Sequence, residues 1–161
     1  SSYLEALIME LQSFNQSYQH LINEYQLVES QLKFTGHPRE CIKLASNSRT
    51  PILAIVEGKL VTYFDLHQQE GIAPYSDNCN AILVRAFSTE VNEQGKGYAK
   101  QALQLLPAYV QKNFPHINEI VLAVNVANTA AQNLYKKCGF KDYGVRRQGP
   151  KGELIVMSFL F

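Results

Sequence analysis

Short apolar runs, rich in branched residues, predict most of the strands of this chain. They fall at 52–56, 60–67, 81–89 and 119–126. A turn at Glu57, Gly58 and Lys59 joins the first two runs. The run EIVLAVNV at 119–126 is apolar throughout, which is typical of a strand buried within a parallel part of a sheet. Two further strands, near 140–146 and 153–161, flank the turn sequence RQGPKG.

Helical spacing of apolar residues appears between these strands. It marks one helix around Tyr18–Tyr25 and a longer one after residue 98, and Pro38 fits the first turn of a short helix. A third amphipathic segment begins at Asn128, a good N-cap, and ends at Gly139, where a left-handed residue belongs. The first dozen residues fit a helix and a strand equally well: Leu4, Leu7, Ile8 and Leu11 follow the helical spacing, and Leu7, Met9 and Leu11 follow the strand alternation.

Composition and charge restrict the class of protein. A chain of 161 residues with 46% hydrophobic content is large enough for one buried core, so we expect a single domain over 1–161. The 15 basic and 14 acidic residues nearly cancel, so we expect no nucleic acid partner, and the apolar runs are too short to cross a bilayer, so we expect no membrane partner. Three scattered cysteines and four dispersed histidines indicate reduced thiols and no metal site. With no basic-then-apolar leader, these features favour a cytoplasmic monomer or homodimer.

The segment EQGKGYAKQAL, residues 93–103, places two glycines between a predicted strand and a predicted helix. Free N–H groups in the first turn of a helix bind anions, and glycines let a phosphate approach the backbone. A plain glycine turn with two solvated lysines, Lys96 and Lys100, is the alternative. The segment does not fit the dinucleotide fingerprint, because Lys100 stands at the third glycine position, and it lacks the Gly-Lys-Ser/Thr of a triphosphate-binding loop.

A third motif fits the residues of this segment. QGKGYA, residues 94–99, matches Gln/Arg-x-x-Gly-x-Gly/Ala, and VNVANTAAQNLYKKCGF downstream matches a strand that ends in Asn and runs into Asn-x-x-Ala-x-x-Leu-Tyr-x-Lys-x-Gly-Phe. Both motifs, in this order and at this separation, resemble the GNAT superfamily of N-acetyltransferases. The resemblance is strong over residues 50–161 and loose over 1–50. It divides the domain into an acetyl-CoA-binding core at 51–161 and an N-terminal strand with acceptor-side helices at 1–50.

The resemblance implies an α/β fold whose mixed, mostly antiparallel sheet is splayed at its centre and flanked by about four helices. It also implies an acetyl-CoA-dependent enzyme that moves an acetyl group directly to a primary amine of a small molecule, or to a protein N-terminus or lysine. Tyr135 would protonate the departing thiolate. The residues expected to bind the cosubstrate are Phe87, Ser88, Thr89, Gln94, Gly95, Lys96, Gly97, Tyr98, Ala99, Asn125, Asn128 and Tyr135.

The base that deprotonates the amine is not identified by the sequence. Strand alternation places Tyr63, Asp65 and His67 on one face, and a structural ion pair of Asp65 with Arg85 would account for both residues. The other candidate bases are Glu29, Glu57, Glu90 and His67. Two rival functions remain open: a non-catalytic acyl-CoA-binding or regulatory domain of the same fold, and a nucleotide-binding module.

Overall fold

The computed structural model describes residues 8–161, which form one seven-stranded sheet with helices on its two faces. The strands are β1 (Met9–Ser13), β2 (Arg49–Val56), β3 (Lys59–His67), β4 (Ala81–Thr89), β5 (Glu119–Asn125), β6 (Lys141–Gly149) and β7 (Gly152–Leu160). The α-helices are α1 (Gln19–Glu24), α2 (Glu29–Leu32), α3 (Pro38–Cys41), α4 (Tyr98–Asn113) and α5 (Thr129–Lys137). Short 3₁₀ helices cover Gln16–Tyr18, Ile42–Leu44, Gln69–Gly71 and Val91–Glu93.

The strands lie in the order β1-β2-β3-β4-β5-β7-β6, and every neighbouring pair is antiparallel except β4 and β5. The parallel pair requires a crossover, which α4 supplies. This architecture confirms the predicted α/β class and its mixed, mostly antiparallel sheet. Within the described residues, five α-helices take the place of the four expected.

The two readings of the N-terminal segment are resolved in favour of a strand from residue 9. Met9–Ser13 pairs antiparallel with β2, and Met9 is buried against the core. Leu4 and Leu7, on which both readings partly rested, lie outside the described residues. Ile8 is exposed.

Strand alternation divides the core into two layers. On one face, Ile52 and Ala54 of β2 pack with the apolar side of α4, whose buried residues are Ala102, Leu103, Leu106 and Val110. On the other face, Leu53 packs with Leu21 and Ile22 of α1. Because successive strand residues point to opposite faces, β2 is buried on both sides. None of the helices in residues 8–161 is long and apolar enough to cross a membrane.

The ends of α5 follow the sequence prediction. The side chain of Asn128 accepts the N–H of Ala131 at 3.1 Å, which caps the first turn. Gly139 lies just past the last turn with φ of +95°. A Cβ atom there would lie 3.0 Å from the ring of Phe159. Gly139 is therefore required for two reasons, its left-handed backbone and the nearby ring.

We expect Gly139→Ala to lower the free energy of unfolding by about 2–4 kcal/mol, because left-handed strain and overpacking against Phe159 add. Gly144→Ala is the matched control: Gly144 has φ of +90°, but an added Cβ meets nothing within 4 Å. Gly144→Ala should lower the free energy of unfolding only by the cost of the left-handed backbone, about 1–2 kcal/mol. Urea unfolding of both variants measures the difference, and equal losses would contradict the role given to Phe159.

Candidate active site

The site begins where the two parallel strands separate. Pairing of β4 with β5 runs from Ala81 opposite Glu119 to Val84 opposite Leu122 and then stops. Beyond that point β4 continues to Thr89 while it is paired with β3, and β5 continues to Asn125 while it is paired with β7. The facing edges of the two strands therefore have no strand partner over their last residues, and the predicted splay at the centre of the sheet is confirmed.

A β-bulge lies in β4 where it leaves β5. Arg85 is opposite Asp65 and Ser88 is opposite Tyr63, so two residues of β4 face the single residue Phe64. Ala86, one of these two, has φ of +56°, which an alanine seldom adopts. Bulges bend a strand and increase its twist, so this one turns the end of β4 away from β5.

The glycine loop follows β4 directly and leads into α4. Gly95 and Gly97 have φ of +76° and +81°, and a Cβ atom on either would meet nothing within 4 Å. Gly97 is the N-cap of α4, and no side chain caps that end of the helix among the described residues. The first-turn N–H groups of α4 thus border open space, which is the arrangement that accommodates a pyrophosphate. The loop has room for a phosphate group beside these N–H groups.

Glu93 anchors this loop from behind. Its carboxylate is buried and accepts Lys59 Nζ at 2.6 Å and Lys96 Nζ at 3.0 Å. These two hydrogen bonds, with Lys59 the larger cause, hold the pKa of Glu93 below its usual value. Because Lys96 is paired with an acid, it brings less free positive charge to the loop than the sequence alone indicates.

A cleft of about 930 Å³ opens at the splay. It brings together five of the residues predicted to bind the cosubstrate: Phe87, Ser88, Asn125, Asn128 and Tyr135. The predicted residues Gln94, Gly95, Lys96, Gly97, Tyr98 and Ala99 do not line this cleft; they follow the carboxyl end of β4, and Gln94–Gly97 are exposed. Thr89 lies between the two groups, and its carbonyl accepts Gln31 Nε2 at 2.8 Å.

The two asparagines that border the cleft shape the turn between β5 and α5. Asn125 Oδ1 accepts the N–H of Ala127 at 2.9 Å, and its Nδ2 donates to the carbonyl of Lys151 at 2.9 Å. The side chain of Asn128 caps α5. Both side chains are therefore used in holding the chain, and any contact with a ligand would be additional to these bonds.

Tyr135 lies in an aromatic cluster at the bottom of the cleft. Its ring meets Phe87 edge-on at a centroid distance of 6.4 Å and Phe140 at 6.2 Å. Phe87 also stacks on Phe64 at 5.7 Å. Burial raises the pKa of Tyr135 to about 12, so its hydroxyl stays protonated at neutral pH.

The N-terminal helices are fastened to the end of β4 and form the other wall of the cleft. Tyr25 Oη and Ser88 Oγ lie 2.9 Å apart, and Gln31 reaches the carbonyl of Thr89. The N–H of Val91 donates to the carbonyl of Gln26 at 2.9 Å. These bonds join sequence positions about sixty residues apart. The pattern of apolar residues gives no sign of them.

Asp65 lies opposite Arg85 in the strand register, but its ion pair is formed with Arg49. Arg49 Nε and Nη2 both contact Oδ2 at 2.7 Å, and Tyr63 Oη donates to Oδ1 at 2.5 Å. Burial raises the pKa of Asp65, against the lowering effect of Tyr63 and Arg49. The pairing expected for Asp65 was therefore wrong in its partner. The sequence could not identify Arg49 as the partner, because Arg49 lies on β2 and Arg85 lies on β4, and both strands are neighbours of β3.

None of the four candidate bases, Glu29, Glu57, Glu90 and His67, lines the cleft. Glu90 is buried and caps the 3₁₀ helix Val91–Glu93 by accepting the N–H of Asn92 at 2.5 Å. His67 lies between Arg85 and Glu70. The cleft is also lined by residues that were not predicted as site residues, among them Phe34, Cys41, Leu44, Arg49 and Arg85.

A mixed sheet split between its two parallel strands, with a glycine loop beside the split, is the architecture that the resemblance to the N-acetyltransferases implies. Comparison with known proteins agrees: the sequence model of the acetyltransferase (GNAT) family matches residues 9–140. The chain belongs to this family. The predicted enzyme class, N-acetyltransferase, and the predicted acetyl donor, acetyl-CoA, are thereby confirmed.

One curated relative, the uncharacterized N-acetyltransferase YbbJ of Bacillus subtilis (strain 168), is 40% identical over 160 residues, which cover 98% of this chain and 93% of the relative. Solved structures share the fold at low identity. The aminoglycoside acetyltransferase AAC(6')-Ib, in complex with paromomycin and acetyl-CoA, has a TM-score of 0.76 at 17% identity and covers 94% of this chain and 93% of that one. Spermidine N-acetyltransferase of Vibrio cholerae, in complex with CoA and spermine, has a TM-score of 0.71 at 18% identity. The match covers 94% of this chain and 95% of that one.

We expect Gly97→Ala to weaken acetyl-CoA binding by about tenfold or more, because the added methyl group occupies the space next to the first-turn N–H groups of α4. Isothermal titration calorimetry measures this change. Gly58→Ala is the matched control, because Gly58 has φ of +76° and open space as well, but lies in the β2–β3 turn. Both variants should lose similar stability, and only Gly97→Ala should lose affinity. Unchanged affinity in folded Gly97→Ala would remove the glycine loop from the binding site.

Proposed function

We propose that this protein transfers the acetyl group of acetyl-CoA directly to a primary amine while both substrates are bound. The observation that carries the proposal is the continuity of three features: the glycine loop after β4, the unpaired strand edges at the splay, and the cleft that opens from the splay toward the N-terminal helices. A donor that runs along the glycine loop and the unpaired strand edges would present its acetyl group to an acceptor in the cleft.

In this proposal the donor is held mainly by backbone. The first turn of α4 and its glycine loop receive the pyrophosphate. The open edge of β4 at Phe87–Thr89 then pairs with the pantetheine amides in the way that an added strand would. A backbone N–H near Phe87 or Ser88 polarises the thioester carbonyl. The bulge at Ala86 supports this placement, because it directs this part of β4 away from β5.

The transfer forms one C–N bond and breaks one C–S bond. The neutral amine attacks the thioester carbonyl carbon, the new amide nitrogen gives up its extra proton to water, and the CoA thiolate departs. Burial of Cys41, a thiol that lines the cleft, raises its pKa to about 11, so it stays protonated and is a poor nucleophile. This supports direct transfer without an acetyl-cysteine intermediate.

Tyr135 assists the departure of the thiolate. Its pKa of about 12 lies above that of an ordinary thiol, so complete proton transfer to the thiolate would be uphill by about 5 kcal/mol. We therefore assign the hydroxyl a hydrogen bond to the developing thiolate, which then takes its proton from water. Such a bond to a charged group contributes about 1.5–3 kcal/mol.

The acceptor is a primary amine of a small molecule, or a protein N-terminus or lysine. The family relationship supports an amine, and the solved neighbours named above bind an aminoglycoside or spermine. At 17% and 18% identity these neighbours share the fold, and their acceptors do not carry over to this chain.

The proposal is tested by ligand binding followed by turnover. Acetyl-CoA at 100 times its Kd should stabilise the folded protein by about 2.7 kcal/mol and raise its Tm, whereas NADH at the same concentration should not. Release of CoA is then measured across a panel of amines. Stabilisation by NADH alone would overturn the acetyl-CoA site. Stabilisation by acetyl-CoA with no CoA release from any amine would favour a non-catalytic acyl-CoA-binding domain.

We expect Tyr135→Phe to lower kcat by roughly 10- to 100-fold while acetyl-CoA affinity stays the same, because one hydrogen bond in the transition state is lost and the ring remains. Tyr143→Phe, at an exposed tyrosine of β6, is the control and should leave kcat unchanged. Since the pKa of Tyr135 is raised, its proton is retained below about pH 12, so wild-type kcat should show no alkaline decline up to about pH 10. Full activity in Tyr135→Phe would show that the hydroxyl has no part in catalysis.

A further inference from the structure

The lining of the cleft carries mostly positive charge. The charged side chains that line the cleft are four cations and one acid: Lys33, Arg49, Arg85, Lys151 and Glu40. The single acid, Glu40, is exposed and already forms an ion pair with Lys43 at 3.3 Å. The glycine loop, which binds the diphosphate in the proposed function, is not part of this lining, so that diphosphate does not account for the positive charge.

Arg85 is one of three cations of the cleft, with Lys33 and Lys151, that no carboxylate of residues 8–161 balances in an ion pair. Asp65 lies opposite Arg85 in the strand register, but its two oxygens bond other residues, one Arg49 and the other Tyr63. Among residues 8–161, no carboxylate forms an ion pair with Arg85. Because the Arg49–Asp65 pair is neutral as a unit, the charge of Arg85 is available to a ligand in the cleft.

The guanidinium of Arg85 is also held in place. Its Nη1 donates to Nδ1 of His67 at 3.3 Å, and Nε2 of that ring donates to Glu70 at 3.2 Å. Glu70 also accepts the hydroxyl of Ser48. The side chain of Glu70 is 67% exposed and outside the cleft lining, so water screens its charge from Arg85. A positioned guanidinium with donors to spare is a carboxylate-binding group.

Exposed apolar side chains also line the cleft. Phe34 is 64% exposed and Leu44 is 57% exposed, and both line the cleft. Large apolar side chains that stay exposed around a cleft are typical of a binding surface, since a ligand that covers them removes apolar area from water. The ligand that fits both features has an apolar group as well as a negative charge.

We propose that the acceptor is a hydrophobic amino acid, whose carboxylate binds Arg85 and whose side chain packs against Phe34 and Leu44. This proposal rests on the proposed function and names its substrate class. Arg85 precedes Phe87 by two positions on β4, and both residues line the cleft, so an amino acid held by Arg85 places its amine toward the splay, where the thioester would lie. A polyamine or aminoglycoside brings several positive charges to a cleft that is already positive, and is disfavoured.

Paired acceptors test this directly: phenylalanine with phenethylamine, which lacks the carboxylate, and leucine with leucinamide. Arg85→Gln should lower kcat/KM for phenylalanine by about 10- to 100-fold, mostly through KM, and change kcat/KM for phenethylamine by less than about threefold. The comparison of these two changes cancels the difference in basicity between the two amines. Lys112→Gln, an exposed lysine near the end of α4, is the charge-matched control.

Arg85→Lys and Phe34→Ala provide independent checks. Arg85→Lys keeps the charge but lacks the planar guanidinium. Its kcat/KM for phenylalanine should lie between the values of the wild type and Arg85→Gln. Phe34→Ala should lower kcat/KM more for phenylalanine than for glycine. Equal losses for phenylalanine and phenethylamine in Arg85→Gln, or a wild-type preference for spermine, would overturn this inference and leave the acetyltransferase function standing. No CoA release with any amine would overturn both proposals.

Discussion

The structure depends on one interruption of backbone hydrogen bonding, the end of the β4–β5 pairing after Val84 and Leu122. Strand edges without a partner are costly when buried and are open to pairing with a ligand when they border a cleft. The two strands can separate because each keeps a full antiparallel partner on its other side. Ala86, in its left-handed conformation, bends β4 at this point. The sheet is thus held together by β3 and β7 while its centre stays open for the donor.

The N-terminal third completes the site from the opposite side. Its helices are short, and α2 and α3 have four residues each, so tertiary contacts must hold them. Their bonds to the end of β4, through Tyr25, Gln26 and Gln31, supply this support. The same bonds fix the distance between the end of β4 and the N-terminal wall of the cleft, the two surfaces to which the proposed function assigns the donor and the acceptor. Fold stability and site geometry here rest on the same contacts.

The sequence predicted those parts of the structure that local chemistry determines. β4 begins and ends where the branched run does, α5 begins at the Asn128 cap, and Gly139 has the expected positive φ. The pairing of Asp65 could not be predicted, because it depends on which of two arginines, on different strands, reaches the carboxylate. The edge strand Met9–Ser13 was ambiguous because its apolar residues fit both periodicities.

The wall of the cleft that the further inference assigns to the acceptor was the least predictable part for the same physical reason. Phe34, Leu44 and Arg85 come from three separate segments, and only the fold places them around one cleft. As isolated letters they are ordinary surface and strand residues. The two glycine-containing motifs were recognisable because each is contiguous in the sequence, and a phosphate or a helix end needs several neighbouring residues of fixed type.

The charge of the cleft also bears on the proton that the acceptor amine must lose. Glu40 is the one carboxylate among the residues that line the cleft, and it is exposed and paired with Lys43. A positive environment disfavours the ammonium form, and each pKa unit by which it lowers the amine corresponds to about 1.4 kcal/mol. Arg49 is largely neutralised by Asp65, but Lys33 and Lys151 remain positive when a carboxylate occupies Arg85. An acceptor that carries its own carboxylate can therefore enter a positive cleft, and the remaining cations there shift its amine toward the neutral form that attacks the thioester.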